Sequence, residues 1–418
     1  MTPTFEAIRS QLPVGQGGLH STLLRLAGRE FWFIYDCGSS NRSSLWRELD
    51  SLDNDFGERP LDLLVLSHLD EDHVNGVERL LSRRKVRRVM LPYLDEDEKL
   101  VLVARAASND AVTEANLRLY ADPEGWFERH GVEVILVQPT RGGDVAPPDP
   151  SPGDPPQPLD DDVHEWSAIE EDWDLEIAGS QPRPSAVGDE RGGPTSKASA
   201  RRSKRKQAAA PRRELPAGEP LTVRARLNSI WELVPFWCPA EGAATFAAKV
   251  RRKLKLKGKL TARKLSPVLS SYELRRELAD LYKSSFASRN RTSLCLYSGP
   301  GWGLRPKDRQ RGARAWLSTG DAPLASTQYQ RYFTSFFGSR FPIVDTVVLP
   351  HHGARTAFPR QGLSGLRPDV WIAAAGKNSY GHPDPGLRAA LRRHASFWQV
   401  STRRGTLYSD EFSVYVRK

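Results

Sequence analysis

Apolar and polar positions divide the chain into two patterned stretches with an unpatterned one between them. Phe31-Trp-Phe-Ile-Tyr35 and Leu61-Asp-Leu-Leu-Val-Leu66 are short aromatic or aliphatic runs of strand length. Val77-Glu-Arg-Leu-Leu81 carries apolar residues at i, i+3 and i+4, a spacing that predicts helix. Val86–Leu91 and Val132–Val137 read as further strands, with a helix between them around 110–130. Beyond residue 217, Val223–Phe236 reads as one strand, and Ala243–Leu265 and 272–287 as helices. A second set of strands follows at Thr292–Tyr297, Ala315–Ser318, Thr346–Leu349, Val370–Ala374 and Phe412–Val416. Strands alternating with helices predict a layered α/β (α+β) fold, and no short repeat is visible.

The middle stretch has another texture. From Asp144 to Gln181 there is no Lys or Arg amid abundant Pro, Asp and Glu, whereas Lys197 to Arg213 is rich in Lys and Arg. Such composition buries too little apolar surface to order itself, so 143–216 is expected to be a disordered insertion between a first half at 1–142 and a second at 217–418. A solvated linker is the plain interpretation. A nucleic-acid-binding arm, or a gate over the active site opened by a protease or regulatory protein, is the sharper one.

Charge adds a direction. The net charge is +10 and the pI about 9.5, which favours polyanionic partners. Within the basic helical segment at 243–287, Lys249, Arg251, Arg252, Lys253, Lys255 and Lys257 are candidate nucleic-acid contacts, or else a solvated helix face. Three scattered cysteines make no disulfide framework and suit a reducing cytoplasm. No apolar stretch is long enough for a signal peptide or a spanning helix, so a soluble protein without membrane partners is expected.

The chemistry concentrates at predicted strand ends. Directly after Leu61–Leu66 comes Ser67-His68-Leu-Asp70-Glu71-Asp72-His73, with four candidate ligands, His68, Asp70, Asp72 and His73, within six positions. Strand ends in α/β folds are where side chains converge on a crevice. A charged turn explains the carboxylates but not two bracketing histidines. Thr319-Gly320-Asp321, Pro350-His351-His352-Gly353 and Tyr380-Gly381-His382-Pro383 each follow another predicted strand. Singly each could be a turn or a core histidine; jointly they imply a metal site. His20, His130, His164 and His394 fall outside these motifs and read as structural or surface residues, and Cys37 as a small buried one.

His68-Leu-Asp70-Glu-Asp72-His73 resembles the H-x-H-x-D-H signature of the metallo-β-lactamase fold. The order of motifs, with Val14-Gly-Gln-Gly17 and Asp36-Cys-Gly38 ahead of them, resembles the soluble metallo-β-lactamase-like domain of the ComEC competence protein. The resemblance covers roughly 10–100 and 288–418. It implies an αββα sandwich carrying the disordered and basic helical insertions, and a site at the sheet edges with two divalent ions (Mn or Zn; Mg possible). By that resemblance His68 and Asp70 would hold one ion, Asp72 and His73 the other, Asp321 would bridge them, and His382 would be the late histidine ligand. His351 and His352 would stand near the scissile group, and Asn290 lies where other branches supply a further histidine. Two departures stand out: Asp70 replaces a histidine, and no histidine precedes Thr319-Gly320-Asp321. An oxygen-richer site tilts from zinc toward manganese or magnesium and leaves one ion more weakly held.

Two such ions suit phosphodiester hydrolysis. The expected activity is therefore that of a metal-dependent phosphodiesterase or nuclease, with Asp72, His73, Asp321, His351 and His352 as catalytic residues. Two alternatives are a hydrolase of a small cyclic nucleotide or lactone, and a regulatory metal-binding protein with a degenerate site.

Overall fold

The computed structural model describes residues 4–107, 119–140, 175–177, 212–225, 228–239, 242–258, 264, 267, 270–285, 292–301 and 314–415. The strands before residue 217 are β1 (Thr4–Gln11), β2 (Gly17–Leu26), β3 (Arg29–Ser39), β4 (Leu61–Val65), β5 (Val86–Pro92), β6 (Glu133–Val137), β7 (Leu175–Ile177) and β8 (Arg212–Leu215). Those after it are β9 (Leu221–Ala225), β10 (Asn228–Phe236), β11 (Cys295–Pro300), β12 (Ala315–Ser318), β13 (Val344–Val348), β14 (Val370–Ala374), β15 (Ser396–Val400) and β16 (Tyr408–Tyr415). The helices are α1 (Arg42–Phe56), α2 (Glu71–Val74), α3 (Val77–Arg83), α4 (Glu96–Ala107), α5 (Pro123–Arg129), α6 (Ala243–Lys253), α7 (Tyr272–Ser285), α8 (Thr327–Phe337) and α9 (Pro385–Leu391).

These strands make two eight-stranded sheets, in the orders β16-β1-β2-β3-β4-β5-β6-β8 and β15-β14-β13-β12-β11-β10-β9-β7. Each is antiparallel at one end and parallel at the other. The first is parallel from β3 to β8, the second from β12 to β15. Parallel strands are covered on both faces, which is why Leu61-Asp-Leu-Leu-Val65 reads as an almost continuous apolar run and is buried throughout.

The period-two pattern of β10 shows how the layers close. Trp231 and Leu233 enter the core between the sheets, where Trp231 stacks on Phe5 of β1 at 5.5 Å. Val234 and Phe236 point the other way, and Phe236 meets Phe333, Phe336 and Phe337 of α8. On the outer face of the first sheet, Trp32 stacks on Phe56 of α1 at 4.0 Å. The result is the expected mixed α/β sandwich. One polar tie crosses its interior: buried Arg9 of β1 donates to both carboxylate oxygens of Asp410 on β16 at 2.7 Å, and lies 3.4 Å from Asp345 on β13.

Several expectations are revised. Val223–Phe236 is a hairpin of β9 and β10 rather than one strand; Arg226 and Leu227 between them offer no Gly or Pro to mark the turn. The basic helix ends at Lys253, not Leu265, because the backbone turns left-handed at Lys255 (φ 51°). Lys255 and Lys257 therefore lie beyond it. Most of 143–216 lies outside the described residues, but two pieces of it, β7 and β8, are strands that pair with β9 and β6. Of the helix expected around 110–130, only α5 and Leu119–Ala121 before it fall within the described residues.

Candidate metal centre

The site forms where the C-terminal ends of the parallel strands of both sheets meet. β4 delivers Ser67 and His68, and the single turn of α2 carries Asp72 and His73. β12 delivers Asp321, and β13 leads into a turn holding His351 and His352. Both of these histidines are left-handed, at φ 48° and 59°, a conformation that costs non-glycine residues on the order of 1–3 kcal/mol each. Gly17 and Gly38 admit the backbone of α2 against β2 and β3: a Cβ on Gly17 would lie 2.4 Å from the Asp72 carbonyl oxygen, and one on Gly38 2.5 Å from the His73 carbonyl carbon. That close approach accounts for two of the N-terminal motif glycines.

His73 Nε2 lies 3.5 Å from Asp321 Oδ1, and His68 Nε2 lies 3.5 Å from Asp321 Oδ2. His352 Nε2 lies 3.3 Å from Asp72 Oδ2, which is 4.0 Å from His73 Nε2. Two ligand atoms about 2.1 Å from a tetrahedral ion stand about 3.4 Å apart, so these spacings suit shared coordination. The donors fall into two overlapping groups, His68 with His73 and Asp321, and Asp72 with His73 and His352. The Nε2 atoms of His68, His73 and His352 are buried and make no hydrogen bond. Buried polar atoms without partners are rare in folded proteins, and three imidazole nitrogens aimed at one region are what a bound cation would satisfy.

The opposite ring edges explain why those nitrogens present lone pairs. His73 Nδ1 lies 2.8 Å from Asp36 Oδ2, and His352 Nδ1 donates to the Ala374 carbonyl at 3.0 Å. With the proton held at Nδ1, Nε2 is the free donor. Asp36, left-handed at φ 58°, also accepts from the Ser67 amide at 2.7 Å and hydroxyl at 2.8 Å. Ser67 Oγ in turn sits 2.8 Å from His68 Nδ1. Ser293 Oγ accepts from the Asp321 amide at 2.8 Å.

Charge follows the same geometry. Burial opposes ionisation of Asp321, yet His351, His68 and His73 hold its carboxyl well below the usual range. Burial likewise opposes charge on Asp72, but His73 and His352 draw it down to about 2. His73 is pushed the other way: burial disfavours its proton, and Asp36, Asp72 and Asp321 together raise it well above an ordinary histidine, so a cation bound at Nε2 would displace a proton from this ring. Carboxylates kept ionised in a buried place are an anionic cradle for a divalent cation.

Residues 14–180 match the sequence profile of the metallo-beta-lactamase superfamily. Over that stretch, about two fifths of its length, the chain is similar to that superfamily. The match covers Asp36 and the His68–His73 cluster; the ligand-type residues at 321 and 352 lie beyond it, and the fold brings them to it. No curated protein matches the sequence. Among solved structures, a beta-lactamase domain protein from Burkholderia ambifaria is 24% identical over 27% of this chain, with a TM-score of 0.17. The matched stretch spans 37% of that protein. The metallo-beta-lactamase MIM-1 from Novosphingobium pentaromativorans is 11% identical, with 92% of this chain and 89% of that one aligned, at a TM-score of 0.29. Unliganded yeast PDE1 is 9% identical over 99% and 100%, at 0.35. Likenesses this loose carry nothing about the reaction.

Of the metallo-beta-lactamase ligand positions expected from sequence, His68, Asp72, His73 and Asp321 come together. His352 joins them, whereas His382 does not: its Nδ1 stands 3.5 Å from Gln16 Nε2 and its ring 5.4 Å from that of His351. Asp70 is 3.3 Å from His68 Nε2, but its carboxylate is ion-paired with Arg105 of α4. His351 stays at the rim, 4.0 Å from Asp321. Asn290 and His164 lie outside the described residues. The six basic candidates are not brought into the site. Lys249, Arg252, Lys253, Lys255 and Lys257 are exposed. Arg251 pairs with Asp97 at 3.6 Å and Lys253 with Glu277 at 3.6 Å, in the helix group where α6 and α7 pack on α4. Sequence reasoning missed the roles of Asp36, Ser293 and Arg105. Only Asp36 carried a signal, its place in the Asp36-Cys37-Gly38 motif. No helix spanning the described residues is long and apolar enough to cross a membrane.

Proposed function

We propose that this protein is a metal-dependent phosphodiesterase acting on nucleic acid, with Asp72, His73, Asp321 and His352 at its reacting centre. The observation that carries the metal reading is the set of three buried imidazole Nε2 atoms without hydrogen-bond partners, set among ionised carboxylates. A divalent ion held there would supply Lewis acidity toward a phosphoryl oxygen and a nucleophile at neutral pH. Asp36 fixes the orientation of His73 and, through Ser67, of His68. His351 is the histidine left to steady the departing oxygen, because it lies at the rim, 4.0 Å from Asp321.

The anionic substrate class rests on what surrounds the centre. A cleft of about 470 Å³ opens beside His382 and is lined by Arg388 and Arg392. Tyr380, 73% exposed, stands 5.8 Å from the His382 ring and offers a face on which a base could stack. The net charge of +10 points the same way. One observation favours a smaller substrate: Arg251 and Lys253 of the basic helix are already engaged by acidic partners.

The test is hydrolysis of plasmid, linear and single-stranded DNA, RNA and a cyclic nucleotide, with and without Mn²⁺. The Asp72→Ala/His73→Ala double variant runs alongside. Metal-dependent polymer cleavage that the variant loses is the expected result. Turnover of the cyclic nucleotide alone would move the reading to small substrates, and metal binding with no turnover would sink it.

A further inference from the structure

The two donor groups share one atom, and that sharing limits how many ions the centre can hold. An imidazole nitrogen has a single lone pair, so His73 Nε2 serves one ion. Given to the group with Asp72 and His352, it completes three donors, with Asp321 3.5 Å away beside them. What remains for a second ion is His68 and a shared Asp321. Asp70 is the residue that would make a third donor, since it lies 3.3 Å from His68 Nε2. Its carboxylate is instead ion-paired with Arg105, and neither side chain is much exposed, at 12% and 19%. Asp70 belongs to neither donor group among the described residues.

A guanidinium cannot deprotonate to make way for a cation. Any ion placed between His68 and Asp70 must therefore displace Arg105 from its partner, and then stand beside an uncompensated positive charge in a largely dehydrated place. Arg105 is not free to retreat at no cost. It projects from α4, whose position is fixed by packing against α6 and α7, so the basic helical segment buttresses the helix that carries Arg105.

We infer that the centre holds one divalent ion tightly, on the Asp72, His73 and His352 side, and that Arg105 occupies Asp70 in place of a second ion. This rests on the metal reading above. It makes Arg105 a residue that sets metal stoichiometry, with no contact to the reacting atoms required of it.

The experiment counts ions rather than turnover. Full-length protein is loaded with excess Mn²⁺ or Zn²⁺ and desalted, and the metal per chain is measured by mass spectrometry, with calorimetric titration and a melting curve alongside. The wild type is expected to retain about one ion per chain, Arg105→Met about two, and Asp70→His, which removes the carboxylate Arg105 grips, also about two. Asp70→His keeps the test decisive should Arg105→Met fail to fold. Two ions of similar affinity in the wild type would overturn the inference while leaving the proposed function intact. One ion in both folded variants would overturn the role given to Arg105. No retained ion in the wild type would overturn this inference and the metal-dependent reading together.

Discussion

The two sides of the centre are built from similar residues and finished differently. On one side Asp72, His73 and His352 face one another, and the rings of both histidines are held from behind by Asp36 and the Ala374 carbonyl. On the other, His68 is backed by Ser67, but its neighbour Asp70 turns to Arg105. A ligand-type residue becomes a ligand when the groups behind it aim it and nothing else in the fold claims its charge. Spacing along the chain fixes the first condition only in part and says nothing about the second.

Substitutions that treat the two sides alike would break this contrast. The largest expected difference is between His352→Ala and His382→Ala. The first removes a donor and should reduce retained metal and activity to background; the second should leave metal content unchanged, altering at most substrate affinity. Equal loss of metal in both would return His382 to the ligand set. Next comes Asp36→Asn, which leaves every donor in place but weakens the support of His73 and Ser67. A metal titration should show affinity lower by about 10–100-fold; an unchanged affinity would mean the rings are aimed by packing alone. A smaller effect separates Asp70→Asn from Asp72→Asn. The first should cost at least about tenfold less in affinity for the tight ion than the second, because its carboxylate answers to Arg105.

The smallest expected effect tests whether burial by itself makes a histidine special. His20 is buried and stacked on Trp316 at 4.3 Å, with Thr22 Oγ1 2.9 Å from its Nε2. Burial, reinforced by the charge of Arg9, lowers it to about 3. The unfolded chain binds this proton below about pH 6.5 while the folded chain does not until about pH 3, so stability falls with pH across that window. The slope is about 1.4 kcal/mol per pH unit for this one group. In urea unfolding, moving from pH 6.5 to pH 5 should cost the wild type about 2 kcal/mol more than His20→Phe. Parallel pH profiles would show that another group carries the acid sensitivity.

Much of this centre is legible in the sequence because four candidate ligands crowd into six positions after a recognisable apolar strand. Later motifs sit after strands of the same kind, so the parallel arrangement that places strand ends together could be anticipated. The placement of His352 beside Asp72 and His73 could not, since it depends on a left-handed turn that no composition encodes. Arg105 was invisible for a different reason: α4 is an acidic-starting helix whose pattern gives no hint that one cation reaches across to the strand end. The extra strands β7 and β8 were hidden in a segment whose composition argues against order, because pairing with an existing sheet edge supplies the hydrogen bonds that sequence alone does not promise.

The candidate donors come from two places far apart along the chain, His68 to His73 and Asp321 to His352, and the two sheets bring them together. Contacts of such high sequence separation cost loop-closure entropy before they reward it. A complete donor set therefore exists only in the folded chain, and an ion bound there would add its binding free energy to the stability of the fold.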